Sequence, residues 1–149
     1  MRQITKKQQE YLRYAAQKKP KPPYIKNILM AFLVGGSICT IGQFFQNFYI
    51  SYGINIKQAR VLSSVTMIFL GAFLTGIGIY DEIGKKAGAG SIVPITGFAN
   101  SIVSPAMEFK KEGYVFGVGS KMFVIAGPVL VYGITTSLLV GLIYYLLKL

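Results

Sequence analysis

Long uncharged apolar runs alternate with short charged ones from Ile28 onward. Ile28 to Ile50 holds no charged side chain. Its length matches the roughly twenty residues a helix needs to cross hydrocarbon, so it predicts a first crossing. Ser51 to Arg60 is a polar connection carrying Lys57 and Arg60, and Val61 to Tyr80 predicts a second crossing that stays uncharged until Asp81. Met122 to Leu147 predicts a third, with Gly127-Pro128 as a kink and Tyr144 and Tyr145 near an interface. Glycines recur in all three (Gly35, Gly36, Gly42; Gly71, Gly76, Gly78; Gly133, Gly141), a pattern suited to close helix packing.

Asp81 to Lys121 does not read as an ordinary crossing. Its apolar stretches, Ser91 to Met107 and Gly113 to Gly119, are short and interrupted by Pro94, Gly97, Pro105, Gly117 and Gly119. Apolar runs of that length are re-entrant or interfacial more often than spanning, and non-helical backbone survives at membrane depth only where protein or a wet cavity satisfies it. A re-entrant pair of half-helices over about residues 88–120 is the expectation, with a surface-lying amphipathic segment as its competitor. Pro105 leaves the extent of the second half-helix open. The fold class is thus all-α: a basic tail over residues 1–27, then one transmembrane domain over residues 28–149 with crossings near 28–50, 61–80 and 122–147.

Composition agrees, with 52% hydrophobic residues and a mean hydropathy of +0.49. The net charge of +11 raises nucleic acid as a ligand, because clustered cations release counterions from phosphates. Its distribution points elsewhere. Half of the sixteen Lys and Arg (Arg2, Lys6, Lys7, Arg13, Lys18, Lys19, Lys21, Lys26) precede the first apolar run, opposed there only by Glu10. That is the layout of a tail beside anionic lipid, and no nucleic-acid-reading motif accompanies it. Prolines 20, 22 and 23 hold the end of the tail extended. Lys85, Lys86, Lys110, Lys111 and Lys121 lie in the long connection and only Lys57 and Arg60 in the short one. The positive-inside rule therefore places tail and long connection in the cytoplasm and the C-terminus outside. A full crossing by Ser91 to Met107 would bring the C-terminus inside.

Candidate chemistry is sparse. There is no His, and Cys39 is alone, so no intrachain disulfide and no thiol metal site can form. The carboxylates show no catalytic or metal-cage spacing, and neither an enzyme nor a cofactor is expected. Asp81-Glu82-Ile83-Gly84-Lys85-Lys86 sets mixed charge at a helix end, and Ala87-Gly88-Ala89-Gly90-Ser91 follows with bare amides able to approach an anion. Its competitor is a flexible loop with snorkelling lysines. Gln43, Gln46 and Asn47 put amides into the first crossing, to glue helices or line a wet path. Asn100, Ser101 and Ser104 add neutral polar groups, while Glu108, Lys110, Lys111 and Glu112 form a solvated charge cluster.

Lys21-Pro22-Pro23-Tyr24, Ala31-Phe32-Leu33-Val34-Gly35-Gly36, Gly42-Gln43, Gln46-Asn47-Phe48-Tyr49, Gly78-Ile79-Tyr80-Asp81 and Val93-Pro94-Ile95-Thr96-Gly97-Phe98-Ala99-Asn100-Ser101 together resemble the stage V sporulation AC family and its AE paralogues, from about Pro20 to the C-terminus. The resemblance implies a subunit of the complex in the inner membrane of the spore that moves dipicolinic acid, with calcium, into the forespore and out at germination. It also implies other stage V sporulation A proteins as partners, and a mechanosensitive gate. Dipicolinate carries two carboxylates, costly to take out of water uncompensated. On that reading Lys85, Lys86, Gly88, Gly90, Ser91 and Asn100, with Gln43 and Asn47, would line a substrate path in a homo- or hetero-oligomer. The alternative is a non-conducting membrane anchor that recruits partners.

Overall fold

A computed structural model describes residues 6–18 and 23–148. Among these residues the chain is helical throughout, with no strand. Helix α1 (Lys6–Lys18) belongs to the basic tail. Part of the proline stretch, residues 19–22, lies outside the described residues. Helix α2 (Tyr24–Ser51) starts directly after Pro23 and takes in the last four residues of the expected tail. It runs 28 residues, about 42 Å at the helical rise, and so overshoots a hydrocarbon core of about 30 Å.

Helix α3 (Ile56–Gly76) differs from the expected second crossing, Val61 to Tyr80, at both ends. Asn55 caps its start, accepting a hydrogen bond from the Lys57 amide at 3.2 Å, and this draws Lys57 and Arg60 into the first turns, where their stems can lie along the helix and their heads reach water. Its end is set by Gly78, whose φ of +76° lies in the left-handed region that favours glycine. The Gly78 amide bonds back to the Thr75 carbonyl at 2.9 Å. Tyr80 therefore belongs to the next element, not to the crossing. The short Tyr52–Asn55 turn makes α2 and α3 antiparallel neighbours, tied by Ser63 Oγ donating to the Gly42 carbonyl (2.8 Å) and by Tyr49 OH against Thr66 Oγ1 (2.7 Å).

The broken segment resolves into α4 (Ile79–Ala87), α5 (Ala89–Ile92) and α6 (Ile95–Glu108). Gly88, at φ +51° and ψ −122°, makes the corner between α4 and α5, a conformation open to glycine and strained for other residues. Pro94, extended at φ −64° and ψ 159°, makes the corner before α6. α6 then runs parallel to α3, because Thr96 sits against Gly71 and, one turn on, Asn100 sits against Thr75. Since α3 returns toward the side on which α2 begins, α6 does too. Gly90, on the way in, packs against Ala31 and Gly35 in the first half of α2. Entry and exit therefore lie on one side, and the tip at Ile92–Pro94 points inward. Thr96 lies beside a residue about five positions before the end of α3, roughly 8 Å inside the bundle end. The segment is a helical hairpin whose two arms open toward the end of the bundle where α2 begins. Pro105 does not end its second arm, for α6 continues to Glu108, and the Phe109 amide bonds to the Pro105 carbonyl.

After a 3-10 turn (Phe109–Glu112) and a π-helical stretch (Tyr114–Gly119), helix α7 (Phe123–Lys148) forms the last apolar rod. Three helices are long and apolar enough to cross a membrane: α2, α3 and the rod that includes α7. The protein's own core is a thin seam of small side chains, with Ala59, Ser63, Met67, Gly71 and Thr75 buried along one i, i+4 ridge of α3.

Close approach decides how the hairpin docks. A Cβ on Gly90 would collide with the Ala31 backbone, and one on Gly71 would come within 2.8 Å of the Thr96 carbonyl. Gly90→Val is expected to undock the hairpin at a cost of about 1–3 kcal/mol, the range for overpacking a filled core. It should appear as a lower midpoint of thermal unfolding in detergent and faster tryptic cleavage after Lys85 and Lys86. Gly133→Ala, where nothing lies within 4 Å, should leave both readouts unchanged.

Candidate functional site

Hydroxyls and one amide hold the hairpin where hydrocarbon offers its backbone no partner. The Tyr80 side chain, 4% exposed, reaches from α4 into the fold between α5 and α6. Its hydroxyl donates to the Ser91 carbonyl at 2.7 Å and lies 2.8 Å from Thr96 Oγ1. A phenol has one proton. With that proton on the Ser91 carbonyl, the Thr96 hydroxyl is the donor to Tyr80. Ser91 Oγ donates to the Gly88 carbonyl at 2.9 Å, closing the corner on itself. On α3, Thr75 Oγ1 donates to the Gly71 carbonyl at 2.7 Å and sits 2.9 Å from the Asn100 side-chain amide. No buried side-chain nitrogen or oxygen among the described residues lacks a partner.

Around this network lies a cavity of about 400 Å³, lined by Tyr80, Asp81, Gly84, Lys85, Ser91, Ile92, Gly97 and Asn100. It occupies the root of the hairpin, between α4 and α6. A second cavity of about 370 Å³ lies across α4 against the start of α2, lined by Tyr24, Asn27, Ile28, Ala31, Lys85, Lys86, Ala87, Gly88 and Ala89. Lys85 borders both. Its ammonium is paired with the Glu82 carboxylate one turn earlier on α4. The hydrogen bond from Lys85, reinforced by its charge, holds the Glu82 carboxyl below the usual carboxylate range, and the same contact raises Lys85. A depressed carboxyl contributes above its unfolded value and loses that contribution as pH falls through its folded one, so at neutral pH the pair is intact. Both side chains are exposed to solvent, where such a pair is worth little. Lys86 has no anionic partner among the described residues.

Three of the residues singled out from sequence, Lys85, Ser91 and Asn100, meet at the first cavity. Lys86 and Gly88 meet at the second. Gly90 lines neither, because it is spent on contact with α2. Two of the amides in the glycine stretch are engaged: the Gly88 amide bonds to the Gly84 carbonyl at 2.9 Å and the Ser91 amide to the Gly88 carbonyl at 3.2 Å. Gln43 and Asn47 sit in the far half of α2, bonded to each other at 2.9 Å and exposed. Asp81 borders the first cavity. Glu108, Lys110, Lys111 and Glu112 are exposed on and beside the 3-10 turn, with no ion pair among them within the described residues. Sequence reasoning passed over Tyr80, Thr75 and Thr96. The readable signal was the pairing of two four-residue steps, Gly71 to Thr75 and Thr96 to Asn100, each a small residue and a polar one on one helical face.

The stretch that builds the corners and the cavity lies within the part of the chain that matches known proteins. The description of SpoVAC/SpoVAEB sporulation membrane proteins matches residues 27–143. The chain belongs to this family. Stage V sporulation protein AC of Bacillus subtilis (strain 168) is 54% identical over 127 residues, covering 85% of each chain. No solved structure matches. The family match spans α2 through most of α7, so cavity, hairpin and crossings all lie within the shared region of these SpoVAC/SpoVAEB proteins, while α1 lies outside it.

Tyr80→Phe keeps the ring and removes the one hydroxyl that joins both arms of the hairpin. A buried carbonyl left without its donor costs about 1–3 kcal/mol. The variant should lower the unfolding midpoint in detergent and raise labelling of a cysteine placed at the buried Ala99, whereas Tyr132→Phe, on an exposed position of α7, should change neither.

Proposed function

We propose that this chain is a subunit of a channel or transport complex in the inner membrane of the spore, moving dipicolinic acid with calcium into the forespore and out at germination. The observation that carries this reading is the polar cavity at the root of a re-entrant hairpin. A structure that merely anchors partners gains nothing from taking two helix corners and several hydroxyls below the membrane surface, where each needs a hydrogen-bond partner. A cavity of about 400 Å³ is within the usual range for small-molecule sites, and a single-ring dicarboxylate is a small guest. Its wall presents both signs, the Lys85 ammonium and the Asp81 carboxylate, which suits a dianion travelling with a divalent cation better than either ion alone.

On this proposal Lys85, Lys86, Ser91 and Asn100 receive the solute at the cytoplasmic mouth, with Gly88 shaping the corner between the two cavities. The orientation follows from charge. Tail and hairpin root share one side of the bundle, and that side holds nearly all the cations, so the N-terminus is cytoplasmic. The other stage V sporulation A proteins complete the complex, and tension in the membrane opens it.

Two measurements test the reading. Single cysteines from Gly84 to Gly119 in a Cys39→Ser background should label from the cytoplasmic side at Lys85, Ser91 and Asn100, with dipicolinate protecting those three. Free labelling along the whole stretch without protection marks a surface loop and removes the site. In sporulating cells or reconstituted vesicles, Lys85→Gln with Lys86→Gln should slow dipicolinate flux about tenfold or more at unchanged protein abundance, and unchanged flux takes the lysines out of the path.

A further inference from the structure

The face of α2 that points away from the rest of the chain is the wrong chemistry for lipid. The helix packs inward through Ala31, Val34, Gly35, Ile38, Gly42 and Tyr49, all partly covered. Nearly opposite on the helical wheel run Gly36, Thr40, Gln43 and Asn47, all exposed. Their spacing of four, three and four residues keeps them on one narrow stripe, the repeat by which two helices hold a common seam. If the 42 Å of α2 is centred on the hydrocarbon, each end projects by about 6 Å, and Gln43, about 12 Å from the C-terminal end, lies within the apolar layer. Thr40 and Gly36 lie deeper.

Thr40 satisfies its hydroxyl on the Gly36 carbonyl at 2.9 Å. The amides cannot do the same. Gln43 Nε2 donates to Asn47 Oδ1 at 2.9 Å, which leaves Gln43 Oε1, the second Nε2 hydrogen and both Nδ2 hydrogens of Asn47 with no partner among the described residues. An unpaired amide in hydrocarbon costs several kcal/mol. Lipid tails offer no relief, and nothing among the described residues reaches the stripe.

We propose that this stripe is the contact between two copies of the chain, α2 against α2. The amide chemistry selects the occupant: a primary amide carries donor and acceptor together, so the unused groups of one Gln43–Asn47 pair are the complement of the same groups on another. Membrane insertion gives every copy the same orientation, and a two-fold axis along the membrane normal then sets Gln43 opposite Gln43 and Asn47 opposite Asn47. Gly36, with nothing within 4 Å of its Cβ position, lets the two backbones approach one turn from Thr40. The inference rests on α2 crossing the bilayer and not on which solute moves, so it can fail while the transport reading stands.

Cysteine cross-linking of the full-length protein in native spore membranes, again with Cys39→Ser, tests it. Thr40→Cys, Gln43→Cys and Asn47→Cys should each give a dimer of this chain, and Ile38→Cys and Phe45→Cys on the packed face should not. In vesicles of phosphatidylglycerol and phosphatidylethanolamine, energy transfer between two labelled populations should fall several-fold in Gln43→Leu with Asn47→Leu, a change that makes the helix more apolar and leaves insertion intact. Cross-links spread evenly around the helix, energy transfer that the double variant leaves unaltered, or stripe cysteines that link only to a different protein would each overturn the proposal.

Discussion

Everything in this fold follows from the cost of carrying peptide groups below a membrane surface without a continuous helix. Two corners, at Gly88 and at Pro94, interrupt the ladder of backbone bonds in a segment that reaches beside Gly71 of α3. Each carbonyl freed there must find a donor, since lipid supplies none. Tyr80 meets the need with one side chain, donating to the Ser91 carbonyl before one arm and receiving from Thr96 at the start of the other. Its position depends on Gly78, because only a chain reversal after Gly76 swings Tyr80 from the α3 line into the hairpin. The termination of α3, the hydroxyl network and the cavity wall are consequences of one constraint.

Small residues supply the other half of the solution. Within a bilayer, helices gain little from hiding apolar surface from one another, and association relies on close packing and interhelical hydrogen bonds. The contacts of Gly90 with Ala31 and of Gly71 with Thr96 bring backbone against backbone. At the same sites Ser63 and Thr75 hydroxyls bond across or along the seam. Such a seam is specific without being deep, and it leaves a polar hollow where side chains are too small to fill the space between α4 and α6.

The three apolar helices and the break between the second and third were legible in the sequence because hydropathy, charge and the positions of proline and glycine report on solvent, and solvent is what sorts membrane segments. The boundaries of α3 were less so. Lys57 and Arg60 read as a loop, yet a capped helix can carry cations in its first turns when their stems lie along it; and Ile77 to Tyr80 read as more of the same apolar run, although a left-handed glycine ended it. Of the site, Lys85, Ser91 and Asn100 were found as chemistry-bearing types in a segment that could not span. Tyr80 was hidden because a tyrosine near a predicted membrane edge has an ordinary explanation as an interfacial anchor. Gly88 and Gly90 serve a corner and a close approach to α2, roles that composition alone does not distinguish from those of an open anion-binding loop.

The depth of the hairpin sets a limit on what one chain can do. Both polar cavities lie at its root, on the side where α2 begins. Beyond the tip, α2 and α3 close on each other through Ser63, Met67 and the Tyr49–Thr66 contact. A solute that reaches the hairpin tip in one protomer has therefore covered only part of the membrane. The remaining part has to be lined by surfaces that the chain presents outward. Those surfaces include α7, which is exposed along its length from Val129 onward. On the transport reading proposed above, a complete path is a property of an assembly, with the hairpin as its mouth and the outward faces of neighbouring helices as its wall.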